Sequence, residues 1–385
     1  MPDWAIVGLL LGATLLLLAG ETWAVGRARR AIPVRVVVTG TRGKSSVTRL
    51  IAFGLRAGGV RVLYKTTGSA AVIGLPDGAE RPIRRHALPT PLEQRGVLRL
   101  AKRSGASAVV CEAMSVHPES LRVELVRILD PHVVAVTNVR ADHIADLSSP
   151  DEAFANAVPE KADVFYPSSI SPGFIDAVRC RGLSGHAVNE EPNAELPLLA
   201  YREWPENLAL AIAVCRHLGV DTQVAARGMT KGRPDIGALA AWRLEIGEAD
   251  WIAVNGFAAN DPESTGAALA VAWAGWGSPH AKRVGLLNLR RDRGDRTAQW
   301  IESLRHDATM FDRLVAIGDV PRVSVRPLRR AYGARFHVLR QQSPERLLAE
   351  LTRLEPAGGF LFGFGNIGGV GMDLVRHWSD SGDRA

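Results

Sequence analysis

The sequence predicts an α/β protein: a P-loop domain on a parallel sheet, a smaller Rossmann-like α/β domain after it, and a transmembrane helix at the N-terminus. Three observations carry this expectation. Residues 36–51, V-V-V-T-G-T-R-G-K-S-S-V-T-R-L-I, read as a buried strand, a glycine turn and a helix. Downstream, apolar strand-like runs alternate with helical patterns, as in parallel sheets wound with helices. Residues 4–20 carry no charge, near the lower limit of the roughly 17–25 residues that span a bilayer. The expected divisions are 1–30 (membrane anchor), 31–235 (nucleotide-binding domain) and 236–385 (C-terminal α/β domain).

At the N-terminus the only early charge is Asp3, whereas R-A-R-R follows the apolar run. A signal peptide carries its positive charge before the apolar core, so this segment reads instead as an anchor. The positive-inside rule puts the following chain in the cytoplasm. The expected location is therefore the cell membrane, single-pass, with the catalytic domains cytoplasmic and Trp23 as an interfacial anchor.

In the glycine turn, a helix N-terminus and loop N–H groups surround one small anion. Gly40, Thr41, Arg42, Gly43, Lys44, Ser45 and Ser46 are the expected phosphate-binding residues. Lys44 supplies a point charge for the outer phosphates, and Ser45 a hydroxyl for Mg²⁺. The loop departs from G-x-x-x-x-G-K-[ST]: Val38 stands at the first-glycine position, and the extra glycine is Gly40. ATP or GTP is the expected ligand. An N-K-x-D segment for guanine is missing, which favours ATP.

The next strand is V-R-V-L-Y (60–64), ending at K-T-T-G-S; a polar stretch with paired prolines leads to a helix near 92–104. A-S-A-V-V-C-E-A-M-S (106–115) reads as a buried strand with Glu112 at its C-terminal end. P-H-V-V-A-V-T-N-V (131–139) is another, followed by Asn138, Asp142 and His143. Polar residues at the carboxyl ends of such strands sit where ligands bind. Glu112 is thus a candidate Mg²⁺ ligand, and His143 a further metal ligand oriented by Asp142. Residues 205–219 form an amphipathic helix, and the turn-rich R-G-M-T-K-G-R-P-D-I-G-A-L marks a domain boundary. Beyond it, W-I-A-V-N-G-F, K-R-V-G-L-L-N-L-R, R-L-V-A-I-G and G-G-F-L-F-G-F-G-N read as strands of a second open sheet.

Composition narrows the function. The net charge of +7 comes mostly from scattered Arg, without a basic run interleaved with aromatics, so nucleic acid is not an expected partner. Cys111, Cys180 and Cys215 have no C-x-x-C spacing, which argues against a structural zinc site or a disulfide framework.

The G-T-R-G-K-S loop, the strand-end Glu112 and the N-x-x-x-D-H segment together resemble the Mur ligase superfamily, which includes the peptidoglycan Mur enzymes and folylpolyglutamate synthetase. The resemblance covers most of residues 36–235. K-T-T-G-S, P-I-R-R, V-N-G-F-A-A-N-D-P-E-S-T, R-x-D-R-x-x-R-T-x-Q and G-N-I-G-G-V-G are similar to the ligase subunit of poly-γ-glutamate synthases and extend the likeness nearly end to end. It implies an ATP-dependent carboxylate–amine ligase, working through an acyl phosphate and releasing ADP, with Mg²⁺ or Mn²⁺. Glutamate and poly-γ-glutamate are the implied substrates, and small membrane subunits that export the polymer the implied partners. Lys44, Glu112 and His143 are the implied catalytic and metal-site residues. Arg233 is a further nucleotide-site candidate, and Asn255, Asn260 and Asp261 are loose ones, because the superfamily's D-x-A-H-N-P segment lacks its histidine here. Arg42, Arg233, Arg290 and Arg293 are candidates to hold substrate carboxylates, and Lys65, Thr66 and Thr67 weaker ones. Lys161 is the nearest counterpart of the lysine that Mur enzymes carbamylate, but its surroundings do not match. Two other readings stay open: a Mur-type ligase on another acidic peptide or cell-wall precursor, and a membrane-tethered P-loop NTPase switch.

Overall fold

The computed structural model describes residues 3–68, 71–85, 89–115, 117–139, 149–189, 201, 203–232, 234–259, 261–321, 324–340 and 343–385. The chain forms two compact units, Met1–Leu198 with Trp204–Arg233, and Leu199–Glu203 with Pro234–Ala385.

The first unit is built on β1 (Val34–Thr39), β2 (Val62–Thr66), β3 (Val72–Gly74), β4 (Glu80–Pro82), β5 (Ala108–Glu112), β6 (Val133–Val136), β7 (Asp163–Pro167) and β8 (Ser184–Val188). They lie in the order β4-β3-β2-β5-β1-β6-β7-β8. β1, rich in valine, sits at the centre and pairs in parallel with β5 and β6. Successive side chains of a strand point to opposite faces. Val37, Val109 and Val134 accordingly join one core cluster with helices Glu93–Arg103 and Pro172–Cys180. Helices Lys44–Ala57, Pro205–His217 and Thr222–Thr230 pack together, the first of them against β1, β2 and β5. The short antiparallel pair β3 and β4 extends the sheet beside β2. At three residues each, these strands are too short to show periodicity.

Residues 1–30, expected as an anchor, belong by their contacts to the first unit. Helix Asp3–Arg30 contains the one described stretch long and apolar enough to cross a membrane, Trp4–Arg30. Its first part is bare: Trp4, Leu9, Leu16 and Leu17 are exposed. From Glu21 onward, one stripe turns inward. Glu21 pairs with Arg95 at 3.3 Å, and Val25, Ala28 and Ile32 are buried in the core. Arg35 fastens this foot by donating through Nη1 to the carbonyls of Arg29 and Ile32.

The second unit has β9 (Ala241–Ile246), β10 (Ala249–Asn255), β11 (Arg283–Leu289), β12 (Arg313–Gly318), β13 (Phe336–Val338), β14 (Gly358–Gly365) and β15 (Asp383–Arg384), ordered β13-β12-β11-β14-β10-β9-β15. Strands β10 to β14 are parallel, and β9 and β15 add antiparallel edges. Trp251 and Trp378 anchor the core on one face, Trp300 and Phe311 on the other.

Because Ile32 is fully buried, Ile32→Ala should destabilise the first unit by about 2–5 kcal/mol. Hydrogen exchange on the full chain in detergent should lose protection in β1 and β5 and keep it in β11 and β14. Unchanged protection in β1 would show that the helix foot is not part of this core.

Candidate functional site

The site forms at the carboxyl ends of β1, β5, β2 and β6. Val38, at the position of a general Walker glycine, is still inside β1 and fully buried, so the turn begins only at Gly40. Its two glycines are forced by geometry. Gly40 has φ +123°, and a Cβ there would collide with Thr137 Oγ1; Gly43 has φ +79°, with Asn207 Oδ1 2.8 Å from where a Cβ would sit. Other residues pay a steric penalty in this left-handed region. Helix Lys44–Ala57 follows directly, with no side chain capping it and no acid in its first turn. A helix N-terminus of this kind, with Ser46 in its first turn, suits an anion.

Asn138 stitches the loop to the end of β6. Its Oδ1 accepts from Arg42 N at 3.0 Å and Thr41 Oγ1 at 2.5 Å, its Nδ2 donates to Arg42 O at 3.2 Å, and its carbonyl accepts from Thr41 N at 3.1 Å. Thr137 Oγ1 donates to the carbonyls of Thr39 and Arg42. Lys44 is folded over the loop, donating to Gly40 O at 2.7 Å and Thr41 O at 3.3 Å.

The chemical centre is Glu112. The β1–β5 register sets it opposite Val38, next to the loop. Only 3% exposed, its Oε2 accepts from Ser45 Oγ at 2.7 Å and Thr67 N at 2.6 Å. A buried carboxylate is costly unless hydrogen-bonded or bound to a metal. Hard oxygen donors from Ser45 and Glu112, beside the glycine loop, fit Mg²⁺ or Mn²⁺, which keep much of their shell for phosphate oxygens and water. Among the described residues, no three His, Cys, Asp or Glu side chains converge as a metal site.

A second layer fixes Glu112 from behind. Gln94 Nε2 donates to Glu112 O at 3.1 Å and to Glu124 Oε1 at 2.7 Å. Glu124, fully buried, accepts from Met114 N and Ser115 N, which holds the chain leaving β5. Burial pushes its carboxyl above the usual range against these hydrogen bonds. Lys65, also fully buried, is committed to Glu93 Oε2 at 3.2 Å and to Met114 Sδ at 2.9 Å. Partial burial would raise the Glu93 carboxyl, but Arg85 and Lys65 outweigh it and hold it low.

The structure therefore gathers Gly40 to Ser46, Glu112 and Asn138 around one point. Thr67 joins them through its backbone N–H. Lys65 and Thr66 are buried, and Lys65 faces inward to Glu93. Lys161 is exposed. Asp142, His143, Arg233 and Asn260 lie outside the described residues. In the second unit, Asn255 Nδ2 donates to Ile236 O and Ala238 O, and Asp261 caps helix Pro262–Trp276 through Ser264 N. Arg290 pairs with Asp292 at 2.7 Å, and Arg293 precedes helix Gly294–His306. Sequence reasoning missed Gln94, Glu124 and Asn207, which carry no motif. It also missed buried Asn288 and Asn366, whose side chains bond the backbone between the ends of β11 and β14. A polar residue ending an apolar strand was the available signal for Asn288.

Residues 38–158 match the Mur ligase middle domain, and residues 242–381 the poly-gamma-glutamate synthase CapB C-terminal domain. PGA synthase CapB of Bacillus subtilis is 30% identical over 368 residues, 90% of each chain. The capsule biosynthesis protein CapB of Bacillus anthracis is 34% identical over 283 residues, 70% of this chain and 60% of that one. Among solved structures, a Yersinia pestis folylpolyglutamate synthase/dihydrofolate synthase complexed with AMPPNP and Mn ion has the same fold. Its TM-score is 0.66 at 14% identity, covering 93% of this chain and 91% of that one.

Replacing Glu112 by Gln keeps an acceptor for Ser45 and Thr67 and removes the charge. Affinity for Mn²⁺ in the presence of a non-hydrolysable ATP analogue should fall roughly 10–100-fold, with an unchanged melting temperature. Unaltered Mn²⁺ affinity, read by electron paramagnetic resonance, would remove Glu112 from the metal site.

Proposed function

The chain belongs to the CapB family of Mur-type ligases and is an ATP-dependent, ADP-forming amide ligase; from this premise we propose that it adds glutamate to the γ-carboxylate of a growing poly-γ-glutamate chain. The observation that supports the reading is the contact of Ser45 with the buried carboxylate of Glu112 beside the glycine loop. In a P-loop enzyme these are the groups that would hold a divalent metal at the nucleotide phosphates.

On this reading the loop N–H groups and the N-terminus of helix Lys44–Ala57 bind the phosphates of ATP. Lys44 leaves the carbonyls of Gly40 and Thr41 and follows the γ-phosphoryl group. A γ-carboxylate oxygen of the polymer end attacks the γ-phosphorus, and the bond to the bridging oxygen breaks to release ADP. The amine of the incoming glutamate then attacks the acyl carbon. The amine loses a proton, the bond to the phosphoryl oxygen breaks, and inorganic phosphate leaves as the amide forms. Ser45 and Glu112 would hold Mg²⁺ or Mn²⁺, which would supply Lewis-acid stabilisation of charge on the phosphoryl oxygens. Lys44 adds charge stabilisation, and the loop contributes by positioning. We further propose His143 as a second metal ligand. Arg42, Arg233, Arg290 and Arg293 are proposed to hold substrate carboxylates, where a planar guanidinium binds bidentately. Asn260 and Asp261 are proposed nucleotide contacts.

The exposed apolar part of helix Asp3–Arg30 supports a membrane anchor with the catalytic units on the cytoplasmic side. Small membrane subunits that receive the polymer are the proposed partners.

Purified full-length protein with ATP and Mg²⁺ should release ADP only when glutamate is present and should yield γ-linked product. Lys44→Ala should lower the rate roughly 10²–10³-fold. Glutamate-independent ADP release at the full rate would favour an NTPase switch. Turnover with a different acidic acceptor alone would move the chain to another Mur-type substrate.

A further inference from the structure

The foot of helix Asp3–Arg30 fixes which side of the sheet meets a membrane. Two contacts set the lower end. Arg35 Nη1 donates to Arg29 O at 3.1 Å, and His132 N donates to Arg35 O; Arg29 thus lies at the edge where β1 and β6 begin. Helix Glu93–Arg103 ends at the same edge, because Arg61, just before β2, donates to Ser104 O at 2.8 Å. Its other end is at the catalytic edge, where Glu93 meets Lys65 at 3.2 Å.

Glu21 lies between Arg95, at 3.3 Å, and Arg99, at 3.8 Å. Helix Asp3–Arg30 therefore climbs beside helix Glu93–Arg103, from the lower edge at Arg29 toward the edge that carries the nucleotide loop. At 1.5 Å per residue, Glu21 stands about 12 Å above Arg29. At about 3.3 Å per residue, Thr39 stands roughly 13–17 Å above the start of β1. The catalytic edge is therefore level with residues 18–20, the end of the uncharged run. Leu92 is five positions above the midpoint of Arg95 and Arg99, about 7.5 Å higher than Glu21 and level with Leu16.

What lies at that height is suited to lipid. Leu92 is 52% exposed. Arg85, which donates to Glu93, holds the neighbouring Arg84 beside this end of the helix, and Arg84 is exposed. The Gln94–Glu124 hydrogen bond of 2.7 Å brings a second helix alongside, on which Arg122 is exposed. An apolar side chain flanked by arginine fits the boundary between hydrocarbon and anionic headgroups.

We propose that the carboxyl edge of the first sheet, with the nucleotide loop, faces the bilayer, seating Leu92 at the hydrocarbon boundary and Arg84 and Arg122 on anionic headgroups. The proposal rests on the reading of helix Asp3–Arg30 as a membrane span. The helix is then a strut rather than a tether, and its buried foot holds the catalytic edge at the membrane surface. Product is released there rather than into bulk cytoplasm.

The test uses the full chain in vesicles containing phosphatidylglycerol. Cys180 is exposed and is replaced by Ser; Cys111 and Cys215 are buried, which pushes their thiols up to about 12 and leaves them unreactive. A fluorescent label is then placed at Leu10→Cys, Leu92→Cys or Lys102→Cys, the last on the opposite edge. Nitroxide-bearing lipids should quench most of the emission at 10 and 92 and leave 102 unchanged. Quenching at 10 without quenching at 92 overturns the orientation and keeps the anchor. Absence of quenching at 10 overturns the anchor and the orientation together.

Discussion

A carboxylate that is almost out of water must be compensated, and Glu112 is the place where this protein meets that demand. Its Oε2 takes one hydrogen bond from the loop serine and one from the backbone at Thr67. The requirement organises much of what surrounds it. The parallel pairing of β1 and β5 sets the carboxylate beside Val38, Gln94 holds its main-chain carbonyl, and Glu124 holds the chain that follows. Asn138 performs the same service for the loop from the end of β6. Glycine at positions 40 and 43 lets the backbone take turns that bring these pieces together. A divalent cation would suit this arrangement, since buried anionic oxygen is what such an ion takes in place of water.

Much of this was legible in the chain itself. The glycine loop, the strand ending in Glu112 and four strands of the second sheet follow from apolar runs that stop at polar residues. What escaped was non-local or carried by the backbone. Lys65, in K-T-T-G-S, reads as a weak candidate to hold a substrate carboxylate, yet the sheet buries it, and its partner Glu93 lies on a later helix. Thr67 reads as a hydroxyl, but its N–H is the group that reaches Glu112. Glu124 belongs to a helix whose pattern gives no reason to expect a buried acid. The edge strands β3, β4, β13 and β15 are too short for periodicity to speak. In the second unit, Asn255 reads as a nucleotide contact, whereas its amide is spent on the carbonyls of Ile236 and Ala238.

The N-terminal helix is the other place where sequence and packing say different things about one segment. By composition it is an anchor with a boundary after its arginines. By packing its last turns are core, with Val25, Ala28 and Ile32 buried beneath the sheet. The two descriptions are compatible because the helix changes role at Glu21, its one acid after Asp3. That acid pairs with Arg95 and Arg99 at the place where the apolar run ends. A catalytic unit held in this way has little freedom to turn relative to the helix that carries it.

The central claim is that the loop and Glu112 serve to phosphorylate a carboxylate. It is tested most directly by supplying glutamate labelled with heavy-isotope oxygen in its γ-carboxylate and following the label by mass spectrometry of the released phosphate. Passage through an acyl phosphate transfers one labelled oxygen to phosphate for each amide formed from a labelled carboxylate. Unlabelled phosphate, with amide still formed, would contradict the account.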